Sequence, residues 1–301
     1  MTKISTDIIK EFFEITKLKK RILLVVGEKS FDILDLNFSL KKILDQGGDY
    51  KILYKRRDLI SKNGIPEYSK ELKNFIPEII IGMGGGSVID LSKLLIYYNY
   101  LSHKNKFKFI VIPTTCGSGS ESTNFAVIYN YGIKNSIKSD LIYADKIVHD
   151  SKLLSFLPRK ALWSSIADSF CQSIESLWSI NANNLSKTYA LKSIKLIVKA
   201  LENPENLDHK KLLMASFYSG SAINISKTTG PHSFSYFLSS KYSIPHGLAV
   251  LFTMKEFLKI NLKEIKISYT FFEYLQGIFT SLDEIYQMLD LILENSKFKF
   301  K

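Results

Sequence analysis

Cysteine is scarce in this 301-residue chain: Cys116 and Cys171 are the only two. A pair so placed builds no disulfide framework and no zinc knuckle, and reads as two small buried apolar residues of a reducing compartment. No uninterrupted apolar run approaches the roughly 20 residues of a membrane span. The opening stretch MTKISTDIIKEFFEITKLKK lacks the apolar segment and cleavage site of a secretory signal. A cytoplasmic protein with no membrane partner is expected. Internal repeats and low-complexity tracts are missing too. So is the interleaving of basic and aromatic residues that stacks bases, which argues against nucleic acid as a partner. Acidic residues are outnumbered, 29 against 41 basic, for a net charge of +12. The lysines are scattered rather than gathered into a tail or stripe, so the charge means either an attraction for anionic ligands or a solvated lysine-rich surface.

What is present suffices for a sizeable core, with 46% hydrophobic and 13% aromatic residues, and for two domains. The first half alternates. RILLVV (21–26), YKILY (50–54), EIIIGM (78–83), FKFIVIP (107–113) and FAVIYN (125–130) are short β-branched runs, and helical patterns such as FSLKKILDQ lie between the early ones. That alternation implies an α/β domain over 1–152, with a parallel sheet wrapped by helices and ligands at the carboxyl ends of its strands. From residue 153 the strand signals stop. WSSIADSFCQSIESLWSI (163–180) carries an apolar stripe at helical spacing, and the segments after it follow suit. The region 153–301 is therefore expected to be all-helical, with 214–240 as one helical stretch ended before Pro245.

Two turns stand out. GMGGGSVIDLSKLL opens a helix where the third strand ends, and Gly84, Gly85, Gly86 and Ser87 place bare backbone at a helix start, as a diphosphate requires. The pattern is neither G-x-G-x-x-G nor a Walker A loop. PTTCGSGSES follows the fourth strand and offers Thr114, Thr115 and Ser118 as hydrogen-bonding groups. Two such turns at one sheet edge point to a dinucleotide.

GMGGGSVIDLSK and PTTCGSGSE resemble the two cofactor signatures of the iron-containing (group III) alcohol dehydrogenase family, over about residues 20 to 250. The resemblance implies a Rossmann-like N-terminal domain and a helical metal-binding C-terminal domain, the architecture shared with dehydroquinate synthase, the latter here shorter than usual. It adds Asp90 and Lys138 to the cofactor residues. At the end of the first strand, where an acidic residue would favour NAD, this chain has Gly27, then Glu28, Lys29 and Ser30. Small residues and a lysine accommodate a 2′-phosphate, so NADP(H) is expected ahead of NAD(H).

The resemblance also implies a divalent metal, Fe2+ or Zn2+, on Asp168, His232 and His246, each histidine standing directly behind a proline. One carboxylate and two neutral imidazoles suit such a cation. Gln172 stands where the family commonly has its first histidine ligand, and Tyr236 where it often has a further histidine. Gln172 is retained as a weaker candidate ligand, and Tyr236 as a candidate proton relay. SFCQSIESLWSI and SKTTGPHSFSYFLSSKYSIPHG are similar to the branch of phosphonoacetaldehyde reductases, which implies reduction of that aldehyde to 2-hydroxyethylphosphonate, with Ser226 and Lys227 near the anionic group. Another small-alcohol or polyol dehydrogenase, a lyase of the sugar-phosphate synthase type and a degenerate inactive homologue are the alternatives. A homodimer is left open. His103, His149 and His209 have no comparable surroundings in the sequence.

Overall fold

The computed structural model describes residues 3–28, 31, 36–56, 60–72, 75–103, 107–131, 133–263, 265–275 and 277–299. The chain divides into two units: Met1–Thr114 with Ser120–Phe156, and Thr115–Gly119 with Leu157–Lys301.

Six parallel strands form the sheet of the first unit. They are β1 (Lys3–Ser5), β2 (Ile22–Gly27), β3 (Tyr50–Lys55), β4 (Ile79–Gly84), β5 (Lys108–Pro113) and β8 (Lys146–Val148), in the order β1-β8-β5-β4-β2-β3. Residues 22–26 of β2 are all buried, as befits a strand covered on both faces, where no polar residue alternates. On one face, α1 (Ile8–Thr16) supplies Ile8, Phe12 and Ile15, and α2 (Leu36–Gly47) supplies Leu40, Ile43 and Leu44, against Ile22, Leu24 and Val26. A further helix, α3, spans Ile65–Glu71. The helix α4 (Gly86–His103) begins directly after β4 and packs against β4 and β2 through its buried Val88, Leu91, Leu94 and Leu95. FAVIYN is the strand β6 (Phe125–Asn130), but it lies outside the parallel sheet. It pairs antiparallel with β7 (Ile133–Lys138) in a two-stranded hairpin. The short loop between them allows only an antiparallel return.

The second unit is helical: α5 (Arg159–Trp178), α6 (Asn184–Ala200), α7 (His209–Ser226), α8 (Gly230–Tyr242), α9 (His246–Asn261), α10 (Ile265–Tyr274) and α11 (Leu282–Ser296). The apolar stripe of α5 understates its burial. Every residue from Ile166 to Leu177 is buried, and α6, α7, α9 and α11 all pack on it. Its polar side is lined by serines whose hydroxyls bond back to the helix, such as Ser173 to the Ser169 carbonyl at 2.7 Å. The stretch expected to be one helix over 214–240 is broken. Lys227 has φ 63° and ψ 172°, a conformation that side-chain-bearing residues seldom adopt, and it ends α7. Pro231 then sits in the first turn of α8, and Pro245 is the N-cap of α9. Both prolines start helices, where a missing N–H does no harm. No helix among the described residues is long and apolar enough to cross a membrane.

Candidate metal centre

The two prolines place His232 and His246 in the first turns of α8 and α9. Asp168 is central in α5, with Gln172 and Glu175 following at +4 and +7 on the same helix face. The start of α9 lies tight against α5: a Cβ on Gly247 would fall 1.8 Å from the Ser164 carbonyl oxygen and 2.9 Å from the Asp168 nitrogen. Only glycine after His246 permits that approach. Thr253 of α9 also donates to the Pro231 carbonyl at 3.0 Å, tying the two histidine-bearing helices together.

The result is a convergence. One ligand atom from each of Asp168, His232 and His246 lies within 4.8 Å of the other two. Asp168 Oδ1 is 3.2 Å from His232 Nε2 and 3.7 Å from His246 Nε2. A tetrahedral cation with bonds of ~2.1 Å holds its ligand atoms ~3.4 Å apart, so the donor set fits a divalent ion. Asp168 and His232 are buried, whereas the His246 side chain is 41% exposed, which leaves one side of the centre open. Burial alone would raise the Asp168 carboxyl, but His246, His232 and Gln172 outweigh it and hold the group at about 2. Burial likewise opposes the charged form of His232, but the carboxylates of Glu175 and Asp168 prevail and raise it to about 9.

Around this core, the Tyr236 ring stacks on the His246 ring at 5.8 Å and 2°. Gln172 donates its amide nitrogen to the Gly117 carbonyl at 3.2 Å, and its amide oxygen faces Ser219 Oγ at 3.4 Å. Because the Gly117 carbonyl can only accept, the NH2 end is fixed toward it. Gln172 thus acts as a brace for the loop 115–119, and the oxygen expected to meet a metal is turned to Ser219. The hydroxyl of Ser226, expected near the anionic group, is fully buried and bonded to Ser176 Oγ at 2.8 Å and the Ala222 carbonyl at 3.1 Å. Lys227 is exposed at the end of α7. The sequence assigns no role to Glu175 or Thr229. The one available signal was the +7 spacing of Glu175 from Asp168.

In the first unit, Gly85, Gly86 and Ser87 are accessible at the β4–α4 junction, while Gly84 is buried, and a Cβ there would meet Val88 at 2.6 Å. Gly27 is half-buried at the end of β2. Lys29 and Ser30 lie outside the described residues. Asp90, expected beside the cofactor, is turned inward instead: it accepts from Ser120 Oγ at 3.2 Å and from the Val127 N–H at 3.1 Å, and burial raises its carboxyl. Lys93 is the second residue of this inward network, donating to the carbonyls of Ser120, Thr123 and Phe125 and to Thr123 Oγ1. Thr114 is buried, and Lys138 is exposed opposite Phe125 in the hairpin. Thr115 and Ser118 are half-buried and belong to the helical unit, where a Cβ on Gly119 would meet Gly220 at 2.5 Å.

Residues 5–151 match the family profile "iron-containing alcohol dehydrogenase", and residues 163–288 match "Fe-containing alcohol dehydrogenase family, C-terminal". A sulfoacetaldehyde reductase of Bilophila wadsworthia is 29% identical over 259 residues, covering 79% of this chain and 67% of that protein. A phosphonoacetaldehyde reductase of Streptomyces viridochromogenes is 30% identical over 161 residues, 51% of this chain and 41% of that protein. The chain thus spans between about two fifths and two thirds of the length of these relatives. The iron-containing alcohol dehydrogenase of Thermococcus thioreducens shares the fold with a TM-score of 0.84 at 21% identity, over 98% of this chain and 84% of that one. With both halves of the family matched in order along its length, the chain belongs to the iron-containing alcohol dehydrogenase family.

Proposed function

We propose that the chain reduces a small anionic aldehyde to its alcohol with NADPH or NADH, at a divalent cation, Fe2+ or Zn2+, held by Asp168, His232 and His246. The observation that carries the reading is the convergence of these three side chains to within 4.8 Å. When bound, the cation supplies Lewis acidity toward the carbonyl oxygen and the nicotinamide supplies the hydride. Asp168, ionised throughout the neutral range, contributes the negative charge that a cation needs at this place. His246 leaves the approach to the centre open, and Tyr236, stacked on it, is assigned the return of a proton to the alcohol oxygen through its Oη. The β4–α4 junction, with Gly85 and Gly86 half-buried and Ser87 exposed at a helix start, is assigned the cofactor diphosphate. NADP(H) is preferred, on the small residues and lysine after β2.

Phosphonoacetaldehyde is the proposed substrate. Two relatives are named for aldehydes that carry a tetrahedral oxyanion, a phosphonate and a sulfonate. The net charge of +12 and the exposed Lys227 favour such a group. The test follows NADPH and NADH absorbance with phosphonoacetaldehyde, sulfoacetaldehyde and an uncharged aldehyde, each with and without chelator. Chelator-sensitive oxidation of NADPH, fastest with an anionic aldehyde, is expected. Asp168→Ala and His246→Ala should lose both bound metal and turnover while keeping their helix content. Unchanged turnover in both variants, or no oxidation of either cofactor with any aldehyde, sinks the proposal.

A further inference from the structure

Glu175 is fully buried on α5, and among the described residues its sole ion-pair partner is His232. A carboxylate without water is costly unless every lone pair finds a donor. Here the donors are divided between the two oxygens. Oε1 accepts the Thr229 N–H at 2.8 Å, the Thr229 hydroxyl at 2.9 Å and the His232 N–H at 3.3 Å. Oε2 meets Nδ1 of the His232 ring in a short contact. The Thr229 hydroxyl in turn accepts from the Trp178 indole at 2.9 Å. Thr229 is the N-cap of α8 yet makes no side-chain cap bond of its own, so Glu175 satisfies the helix start from outside.

We infer that Glu175 is the positioning residue of the metal centre: one oxygen anchors the first turn of α8, and the other holds His232 in the tautomer that presents Nε2 to the cation. This rests on the metal reading proposed above. The geometry follows from the two faces of one imidazole. A proton on Nδ1 finds its acceptor in Oε2, which leaves Nε2, 3.2 Å from Asp168 Oδ1, as the nitrogen that would share a cation with that carboxylate. Were Nδ1 without that acceptor, the ring could turn over or carry its proton on Nε2, and the donor set would drop from three groups to two. A carboxylate suits the place because it only accepts. A carboxamide would have to turn its NH2 either toward the backbone donors or toward the imidazole.

The experiment uses the full chain, with Zn2+ affinity measured by competition with a chromophoric chelator and the Co2+ complex followed by its visible spectrum. Glu175→Gln should keep its helix content, bind Zn2+ about 10–100-fold more weakly and alter the Co2+ spectrum. Thr229→Val removes a donor to the same oxygen without touching the imidazole. It should lower thermal stability and leave Zn2+ affinity within about twofold of the parent. Wild-type affinity and an unchanged Co2+ spectrum in Glu175→Gln would reduce Glu175 to a helix cap and overturn the inference. The unsubstituted protein gives a second readout that no misfolded variant can obscure. Its Zn2+-loaded form, labelled with 15N-histidine, should show His232 protonated at Nδ1 and metal-bound at Nε2, and the reverse assignment would overturn the inference equally. Failure of the unsubstituted chain to bind either metal would overturn the metal reading itself, and the positioning role with it.

Discussion

Lys93 is wholly buried, its ammonium surrounded by three carbonyls and the Thr123 hydroxyl, with Asp90 and Glu121 nearby. Burial lowers it to about 8, against the attraction of Asp90 and Glu121. Glu121 also faces His149 at 3.7 Å, and Asp90 feels Lys134. Because the folded value lies below the ordinary 10.5, the unfolded chain holds more protons than the folded one between these two pH values. Raising the pH therefore favours the folded state over that interval: the cost of the buried charge is fully present below pH 8 and gone above about 10.5. Denaturant unfolding should show this group's contribution rising with pH across the window. Lys93→Met should abolish that rise and, at pH 7, lose roughly 3–5 kcal/mol, because one member of a buried charged network is removed. An unaltered pH profile in Lys93→Met would show that the lysine does not carry the effect. The same residue explains why Asp90 could be placed in its helix from the sequence but not assigned to a direction. Helical spacing says which face a side chain occupies, whereas the carbonyls that hold Lys93 come from residues 27 to 32 positions away.

At the level of elements, helix starts do most to build the centre. His246 reaches Asp168 because Gly247 lets α9 touch the α5 backbone, where a Cβ would lie 1.8 Å from the Ser164 carbonyl oxygen. Gly230 is the useful contrast: the nearest atoms to a Cβ there belong to the ring of Phe257, a side chain that can rotate away. Gly247→Ala must move backbone, so it should destabilise the protein by about 1–3 kcal/mol or more and weaken Zn2+ binding, whereas Gly230→Ala should leave metal affinity near wild type. Melting curves and metal titrations of the two variants decide it, and equal effects would refute the argument. The elements were unevenly legible. β2, β4 and β5 announce themselves as runs of β-branched residues because both faces of each are buried, whereas β3 lies at the sheet edge with only Leu53 buried. β1 and β8 have three residues each, too few to show a pattern. FAVIYN reads as a strand, yet apolar runs do not reveal whether the partner is parallel or a hairpin return. The break at Lys227 was hidden because its cause lies in the next helix: Pro231 suits a first turn, and Glu175 anchors that turn from α5. Asp168, His232 and His246 were legible as chemistry through the family resemblance. Glu175 was not, since a glutamate on a helix is ordinarily solvated and its burial depends on which element packs over it.

At the scale of the whole molecule, the candidate ligands all belong to one of the two units. Asp168, His232 and His246 come from α5, α8 and α9, within Leu157–Lys301, and the glycine turn of β4–α4 belongs to the other unit. Each unit encloses its own buried core. A ligand that binds only the folded form stabilises the cooperative unit holding its site, by about 2.7 kcal/mol at a hundredfold excess over its dissociation constant. Hydrogen exchange can read this element by element, because amides that exchange through unfolding of the helical unit must slow by the same factor, about 100-fold. With Zn2+ at that excess, protection should rise across α5, α8 and α9, while β2, β4 and β5 keep their metal-free rates. A chelator should reverse the change. NADPH should act the other way round, slowing exchange at β4 and the start of α4. A uniform rise over both units on adding Zn2+ would mean that the chain unfolds as one body. No rise in α5, α8 or α9 would mean that the three side chains converge without holding a cation.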